Sequence, residues 1–571
     1  MNHATSSRAM STSAITARDQ HAARAAGGVL MLLMLTARAG VAQDTPPTAW
    51  GRGPDAYSAL SHTAAAWLGA WSPLRPIADT PRGLLRAPLA PGVFDAPPPA
   101  VGAFVLAGAP GALARDLARA RGSTGDTTRF GELRARSASS DGAYRRPLDV
   151  QDVRAVGASG QGWAPVGTRG IAIGRFAVDQ DQSTTSSFSS RVAPYGGSPF
   201  ISTDSVTPPM QRTRARLEGA LGLRLAGFGA GLALALESRE HNTENFPLRR
   251  AGRSVAPAAN VGLERVLPWL GLRVGAYHRW SEPIETDILN PLPLPTVYYP
   301  LRGYDEPASV PLSGLSLFAR VAKRVSATGG TAELSVLNTR VVVTHERGSL
   351  AEDSYFALQQ FRPTNRWRSE GRETRVQLYR DLGANTRVMV IGSSEQNAGD
   401  AVRLDLTGIA FKGRTTRNAA ELDVRSTFGA WNLAALGGAI RQTRYGSDFV
   451  VEEIADLEST QPFISGEIAR RFGRASLAVG ASAVQSTSVG VVPAAAAARA
   501  NYRRLIAPDL AYDAADARAS ALWTTAMYQL NKAALFASVR YETTTPTSSA
   551  PQRLQPTGER TGWSTVVGVR Y

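Results

Sequence analysis

The sequence holds no cysteine among its 571 residues. That excludes disulfides and any metal site held by thiolates. It also lacks an apolar run of about 18 residues or more, so a membrane-spanning helix is not expected. Lysine is nearly missing and occurs only at Lys323, Lys412 and Lys532. The formal net charge of +16 is therefore almost wholly arginine. These arginines are spread along the chain at alternating positions rather than bunched into a patch, which speaks against nucleic-acid binding.

What the chain does contain is a long period-two pattern. Arg212, Arg214, Arg216 and Glu218 fall on one face of a stretch whose other face is Ala215, Leu217, Gly219, Leu221 and Leu223. Phe228, Ala230, Leu232, Leu234 and Leu236 alternate with smaller residues, and Leu272, Val274 and Ala276 alternate with Arg273, Tyr277 and Arg279. Successive strand side chains point to opposite faces, so each stretch reads as a strand with one aliphatic face. A soluble antiparallel sandwich also alternates. Here the aliphatic face continues over many strands, and the connections alternate in length. Tight turns are expected near Ala226, Pro268, Thr328, Gly383, Gly429, Gly473 and Asn531, with long loops between them. Short turns on one side and long loops on the other predict an all-β fold: a transmembrane antiparallel up-and-down β-barrel over 128–571, of about 18 strands. An even count puts both ends of the barrel in the periplasm. Val402 to Phe411 also alternates and is placed as an extension above the membrane.

The residues before the barrel are of another kind. Residues 1–42 read as a signal peptide, with Arg8, Arg18 and Arg24 before the short apolar run Val29–Leu35 and a small-residue site at Gly40-Val41-Ala42. Residues 43–127 are proline-rich, with short helices expected near Pro54–Trp71 and Ala112–Ala120. This segment is either a periplasmic linker or a plug in the lumen.

At the other end, Trp563, Thr565, Val567, Val569 and Tyr571 share one face, and Gly562, Ser564, Gly568 and Arg570 the other. A strand with aromatics at both ends of its apolar face, closing on an aromatic, resembles the terminal strand of bacterial outer-membrane barrels. The resemblance implies that Tyr571 is an assembly signal read by the barrel-assembly machinery. Other strings carry a broader resemblance: Phe130-Gly131-Glu132-Leu133, Tyr144-Arg145-Arg146-Pro147, Pro194-Tyr195-Gly196-Gly197-Ser198-Pro199-Phe200 and Arg216-Leu217-Glu218-Gly219-Ala220. In order and spacing they resemble an uncharacterised family of outer-membrane β-barrels, a domain of unknown function. The family implies a multi-pass barrel in the cell outer membrane and supplies no substrate.

Function is argued from the polar face. Arg212, Arg214, Arg216, Glu218, Arg273, Arg279, Glu373, Arg375 and Asp423 are expected to line the lumen. A barrel of about 18 strands leaves an aqueous lumen unless plugged, so a porin-like passive or gated channel for small solutes is expected, with anions favoured. The alternatives are a docking barrel for an envelope or secretion partner and, lower, a TonB-dependent-type receptor or an outer-membrane hydrolase. The partners expected are outer-membrane lipid and the assembly machinery. No enzyme activity, cofactor or metal is expected. His241 and His345 are read as solvated residues beyond strand ends, and Thr344-His345-Glu346 is the one string resembling a catalytic site. The loop 281–313 carries seven prolines with Tyr298, Tyr299 and Tyr304. It is read as a constriction in the mouth, a partner surface or a stiffened cap. Trypsin is expected to cut in outer loops, at Arg249-Arg250 or Arg503-Arg504.

Overall fold

The computed structural model describes residues 130–144, 152–167, 170–184, 199–204, 209–225, 228–243, 250–290, 296–304, 310–312, 316–336, 339–356, 363–383, 385–406, 408–491, 503, 506–530, 533–547 and 558–570. The signal peptide read at 1–42, the segment 43–127 and Tyr571 lie outside the described residues.

In chain order the strands begin with β1 (Phe130–Gly142), β2 (Val153–Val166), β3 (Gly170–Ser183), β4 (Phe200–Asp204), β5 (Met210–Leu225), β6 (Phe228–Thr243) and β7 (Arg250–Leu267). They continue with β8 (Leu272–Ser281), β9 (Ile284–Leu289), β10 (Thr296–Arg302), β11 (Val310–Leu312), β12 (Leu317–Val336), β13 (Thr339–Phe356) and β14 (Asn365–Leu382). The remainder are β15 (Thr386–Arg403), β16 (Ile409–Phe428), β17 (Trp431–Asp448), β18 (Glu453–Phe472), β19 (Ala475–Val491), β20 (Ala517–Gln529), β21 (Ala534–Pro546) and β22 (Arg560–Arg570). One short helix, α1 (Ala507–Asp513), lies between β19 and β20.

Nineteen of these strands form one sheet of antiparallel neighbours. β8 and β9 both pair with β7 and β12, so they share one place in the wall, interrupted at Glu282-Pro283. That leaves eighteen places. β1 pairs with β22 from Glu132↔Arg570 to Gly142↔Arg560, and the sheet closes on itself. Closure is the physical solution for a wall in lipid, because it leaves no unpaired strand edge. The remaining three strands, β11-β10-β4, form a separate small sheet.

The outward face follows the alternation read from the residues. Leu234, Val261, Leu263, Ile464, Val479 and Leu522 are all exposed on it. Near the tight turns the band is edged by Phe228, Phe428, Trp431 and Phe472, with the Arg470 guanidinium 4.8 Å from the Trp431 ring and 4.9 Å from the Phe472 ring. At the far edge Tyr541 and Trp563 stack with centroids 4.6 Å apart. Paired aromatic girdles around an aliphatic band mark a barrel wall in a bilayer. The protein is a multi-pass β-barrel of the outer membrane.

The wall is uneven in height. β1, β2, β3, β20, β21 and β22 have 11–14 residues, whereas β12 to β19 have 17–20. A bilayer crossing needs roughly 9–11 residues per strand. The long strands therefore rise beyond the apolar band on the side of the long loops by about 20 Å, at roughly 3.3 Å per residue and a tilt near 40°.

One local reading is corrected and one holds. No turn occurs at Thr328, which lies in mid β12; the strand runs on to Val336, which pairs directly with Thr339 of β13. A side chain at Gly329 collides with the Tyr277 ring, so glycine there makes room for an aromatic from β8. Val402 to Phe411 is the tip of the β15–β16 hairpin, which is why the strand count stays even. At true turns such as Gly429 and Gly473 the backbone has φ near +60°, which favours glycine.

Candidate functional site: a capped lumen

The inward face begins with the arginines. On β5, Arg212 places Nε 2.6 Å from Asp181 Oδ1, its directly opposite partner on β3. Arg214 donates to Glu237 at 2.9 Å, and Arg239 on β6 also pairs with Glu237, which is buried. Arg216 stands opposite Glu237 in the same register. Glu218 stands opposite Arg175, with its side chain outside the described residues. On β8, Arg273 pairs with Glu333 at 2.8 Å and Glu264 at 3.5 Å. Arg279 pairs with Glu346, to which the Tyr277 hydroxyl also donates at 2.9 Å. Arg375 lies 3.8 Å from Glu373, and Arg425 pairs with Asp423 at 2.8 Å. The residues expected in the lumen thus lie on two stretches of inner wall, β3–β6 and β8–β16. Nearly every arginine among them has a carboxylate beside it. Matched charges weaken the field that an unpaired arginine lining projects.

Above the ionic wall the inner face turns apolar. Val325 and Ala327 of β12, Leu350 of β13, Trp367 of β14, Ala401 of β15, Phe411 of β16 and Ala455 of β18 are buried in one cluster. The rest of that cluster comes from loops: Phe200 of β4, Tyr304 after β10, and Ile506, Ala507 and Leu510 of the α1 region. Three outer loops, those joining β3 to β5, β9 to β12 and β19 to β20, therefore contribute to one apolar contact with the inside of the tall wall. The Trp367 ring is accommodated because position 399 is glycine; a side chain there collides with it. Tyr304 presents its ring edge-on to Phe411, with centroids 5.3 Å apart.

Polar ties hold the same segments. The Tyr304 amide donates to Asp448 Oδ2 at 2.8 Å, and the Gly303 amide to the Pro199 carbonyl at 3.3 Å. Arg250, the first residue of β7, lies with its Nε 3.1 Å from Asp204 of β4, and both side chains are 0% exposed. The loop 281–313 is therefore partly barrel wall, through β9, and partly a mouth sheet built with β4. Arg250 is not open to trypsin, contrary to the reading of Arg249-Arg250 as an exposed loop site, because the long strands carry it above the membrane and into the mouth.

The histidines are also placed differently from the expectation. His241 is not in a solvated loop: it lies within β6, 2% exposed, with Nε2 3.7 Å from Asp287 of β9. His345 lies within β13 on the outward face and meets Thr374 Oγ1 at 2.9 Å. Glu346 points inward to Arg279. A shared site for His345 and Glu346, or for His241 and His345, is thus divided by the sheet. Sequence reasoning missed the mouth cluster. Trp367, Phe411 and Leu350 look like ordinary strand residues, and the one signal that could have pointed to α1 is Pro508, a proline in the first turn of a helix.

A family described as "Family of unknown function (DUF6850)" matches residues 120–571. No curated protein sequence matches the chain. Similar solved structures include the ferric yersiniabactin uptake receptor FyuA from Yersinia pestis, at 10% identity over 77% of this chain and 80% of that chain, with a TM-score of 0.40. They also include the FrpB iron transporter from Neisseria meningitidis, at 9% identity over 80% of this chain and 82% of that one, TM-score 0.37. The copper transporter OprC follows at 8% identity over 77% and 80%, TM-score 0.37. Likeness at this level carries no statement about cargo.

Proposed function

The chain belongs to the family of unknown function DUF6850, a description that names no activity, and we propose that it is a gated outer-membrane channel whose mouth is closed by its own outer loops. The observation carrying this reading is the apolar cluster in which Phe200, Tyr304 and Leu510 from three loops pack on Trp367, Leu350 and Phe411 of the inner wall. A passive pore needs a hydrated path from end to end. Dry packing across a mouth opposes one, and removing such contacts exposes aromatic surface at a cost that keeps the closed state populated. The paired inner charges support a channel that selects its small solute by the opening event more than by a standing field. The reading is also non-enzymatic, since the histidines and carboxylates of the candidate string stand on opposite faces.

Planar-bilayer recording of the purified protein tests this reading. Wild type is expected to sit at the closed level with rare openings. A variant in which 296–312 is replaced by a short Gly-Ser linker, losing the mouth strands β10 and β11 and the segment between them, is expected to conduct steadily. Steady conductance of the wild type equal to that of the variant would establish an open porin. A silent variant with correct barrel mobility would mean that the mouth loops are not the gate.

A further inference from the structure

On the outward face, one row of residues breaks the usual order of aliphatics below and charge pairs above. Arg347 of β13 and Arg372 of β14 are directly opposite partners. Both are exposed on the lipid side, in the same alternation as Val343 and as Val376 and Leu378, which lie nearer the tight turns. Thr328 stands opposite Arg347 on β12, and Gln396 opposite Arg372 on β15. The row ends at His278, whose Nδ1 lies 2.9 Å from Thr328 Oγ1. One step toward the turns, His345 and Thr374 make a second such contact at 2.9 Å.

Like charges directly opposite across a ladder repel and are normally avoided. The carboxylates nearby do not remove the repulsion. Glu370 accepts from Arg347 at 2.7 Å, while Arg372 finds only the neutral Gln396 amide oxygen, at 3.1 Å from Nε and 2.6 Å from a terminal nitrogen. Two guanidinium groups thus share one carboxylate. Elsewhere on this belt Arg441 pairs with Glu458 at 2.8 Å and Arg253 with Glu240 at 3.4 Å, while Arg366 and Arg368, at 3.5 and 3.3 Å, both lie beside the Asp353 carboxylate. The surplus cation stands where the aliphatic band stops, on a face that meets lipid.

We propose that Arg347 and Arg372, flanked by Thr328 and Gln396, bind the phosphate of an anionic lipid headgroup in the outer leaflet. The guanidinium fork matches phosphate oxygens and makes charge-assisted hydrogen bonds with them, and a phosphate between the two arginines turns their repulsion into two attractions. The hydroxyl of Thr328 and the amide of Gln396 supply further donors at the rim. The acyl chains of the same lipid then lie along Val343, Val376 and Leu378.

Native mass spectrometry of the purified full chain tests the site, using lipid A and enzymatically dephosphorylated lipid A as probes. Wild type is expected to retain lipid A roughly tenfold better than the dephosphorylated form, the scale of one good charge-assisted contact. The double variant Arg347→Gln, Arg372→Gln is expected to lose most of that difference, with folding checked by heat-modifiable gel mobility. Arg441→Gln, from an evenly paired part of the belt, should keep it. The single variant Arg372→Gln leaves the Glu370 pair intact and decides the matter if the double variant does not fold; it should show a partial loss. Equal retention of both lipids by wild type overturns the proposal. So does unchanged discrimination in a folded double or single variant, or a loss in Arg441→Gln as large as in the double variant.

Discussion

Arg250 and Asp204 join the mouth sheet to the barrel wall through an ion pair with no exposure on either side. A buried pair of this kind adds little net stability over a well-packed apolar pair, but removing one partner strands the other charge in a dry place at a cost of about 3–5 kcal/mol. Arg250→Met is therefore expected to loosen the mouth sheet without unfolding the barrel, whose strands pair elsewhere along their length. Limited proteolysis is the check: cleavage should move into 296–312 in the variant and stay out of β12 to β19. An unchanged digest would mean that Asp204 does not hold the sheet. This residue-scale chemistry was hidden in the sequence. Arg250 follows Arg249 in a polar stretch and reads as a solvated loop residue, and Asp204 sits in a short segment with no clear alternation. Their meeting depends on a contact between two outer loops that no local pattern encodes. His241 was misplaced for a related reason: the strands outrun the membrane, so a residue beyond the apolar alternation is still inside a strand.

At the scale of the element, the alternation was legible wherever a strand has lipid on one side, because lipid enforces an aliphatic side chain at every second position. β6 and β22 read correctly from Leu232–Leu236 and Trp563–Val569 for that reason. Beyond the bilayer the outward face turns polar, as in the outer half of β14 with Arg366, Arg368 and Arg372, and the aliphatic mark of the period is lost. The reversal between Val336 and Thr339 was missed because Gly329 and Gly330 imitate a turn, whereas Gly329 makes room for the Tyr277 ring. The membrane assignment of the band is testable by depth. Leu263, 63% exposed and about five residues from its turn, lies near the middle of the band. Leu263→Arg is expected to cost about 2–4 kcal/mol, and Leu217→Arg, about nine residues from its turn, closer to 1 kcal/mol or less. Chemical unfolding of the purified protein in lipid vesicles measures the difference. Equal costs at both positions would remove the depth argument.

For the whole molecule, the number of strands and the closing pair β1–β22 set a barrel of a size that ordinarily holds an open aqueous lumen. On the reading proposed here, the tall wall on β12 to β19 changes that outcome. It carries inner-face Trp367, Leu350 and Phe411 above the bilayer, where three loops can fold back and cover them. The sequence announced the barrel through its period and its turns, and it flagged the loop 281–313 as unusual. It did not announce the cap, since the wall half of the cap is made of residues indistinguishable in pattern from other inward positions.

The central claim is that this cap seals the inner wall from the outside, and cysteine accessibility on intact cells tests it most directly. The chain has no cysteine of its own, so a single introduced thiol is the sole target. Ser369 lies on the inner face of β14, opposite Leu350 of the mouth cluster and 5% exposed, whereas the Glu370 side chain on the outward face is 69% exposed. With a membrane-impermeant maleimide, Ser369→Cys should label far more slowly than Glu370→Cys, and should speed up when 296–312 is replaced by a short linker. Labelling of Ser369→Cys as fast as Glu370→Cys in the otherwise native protein would contradict the account.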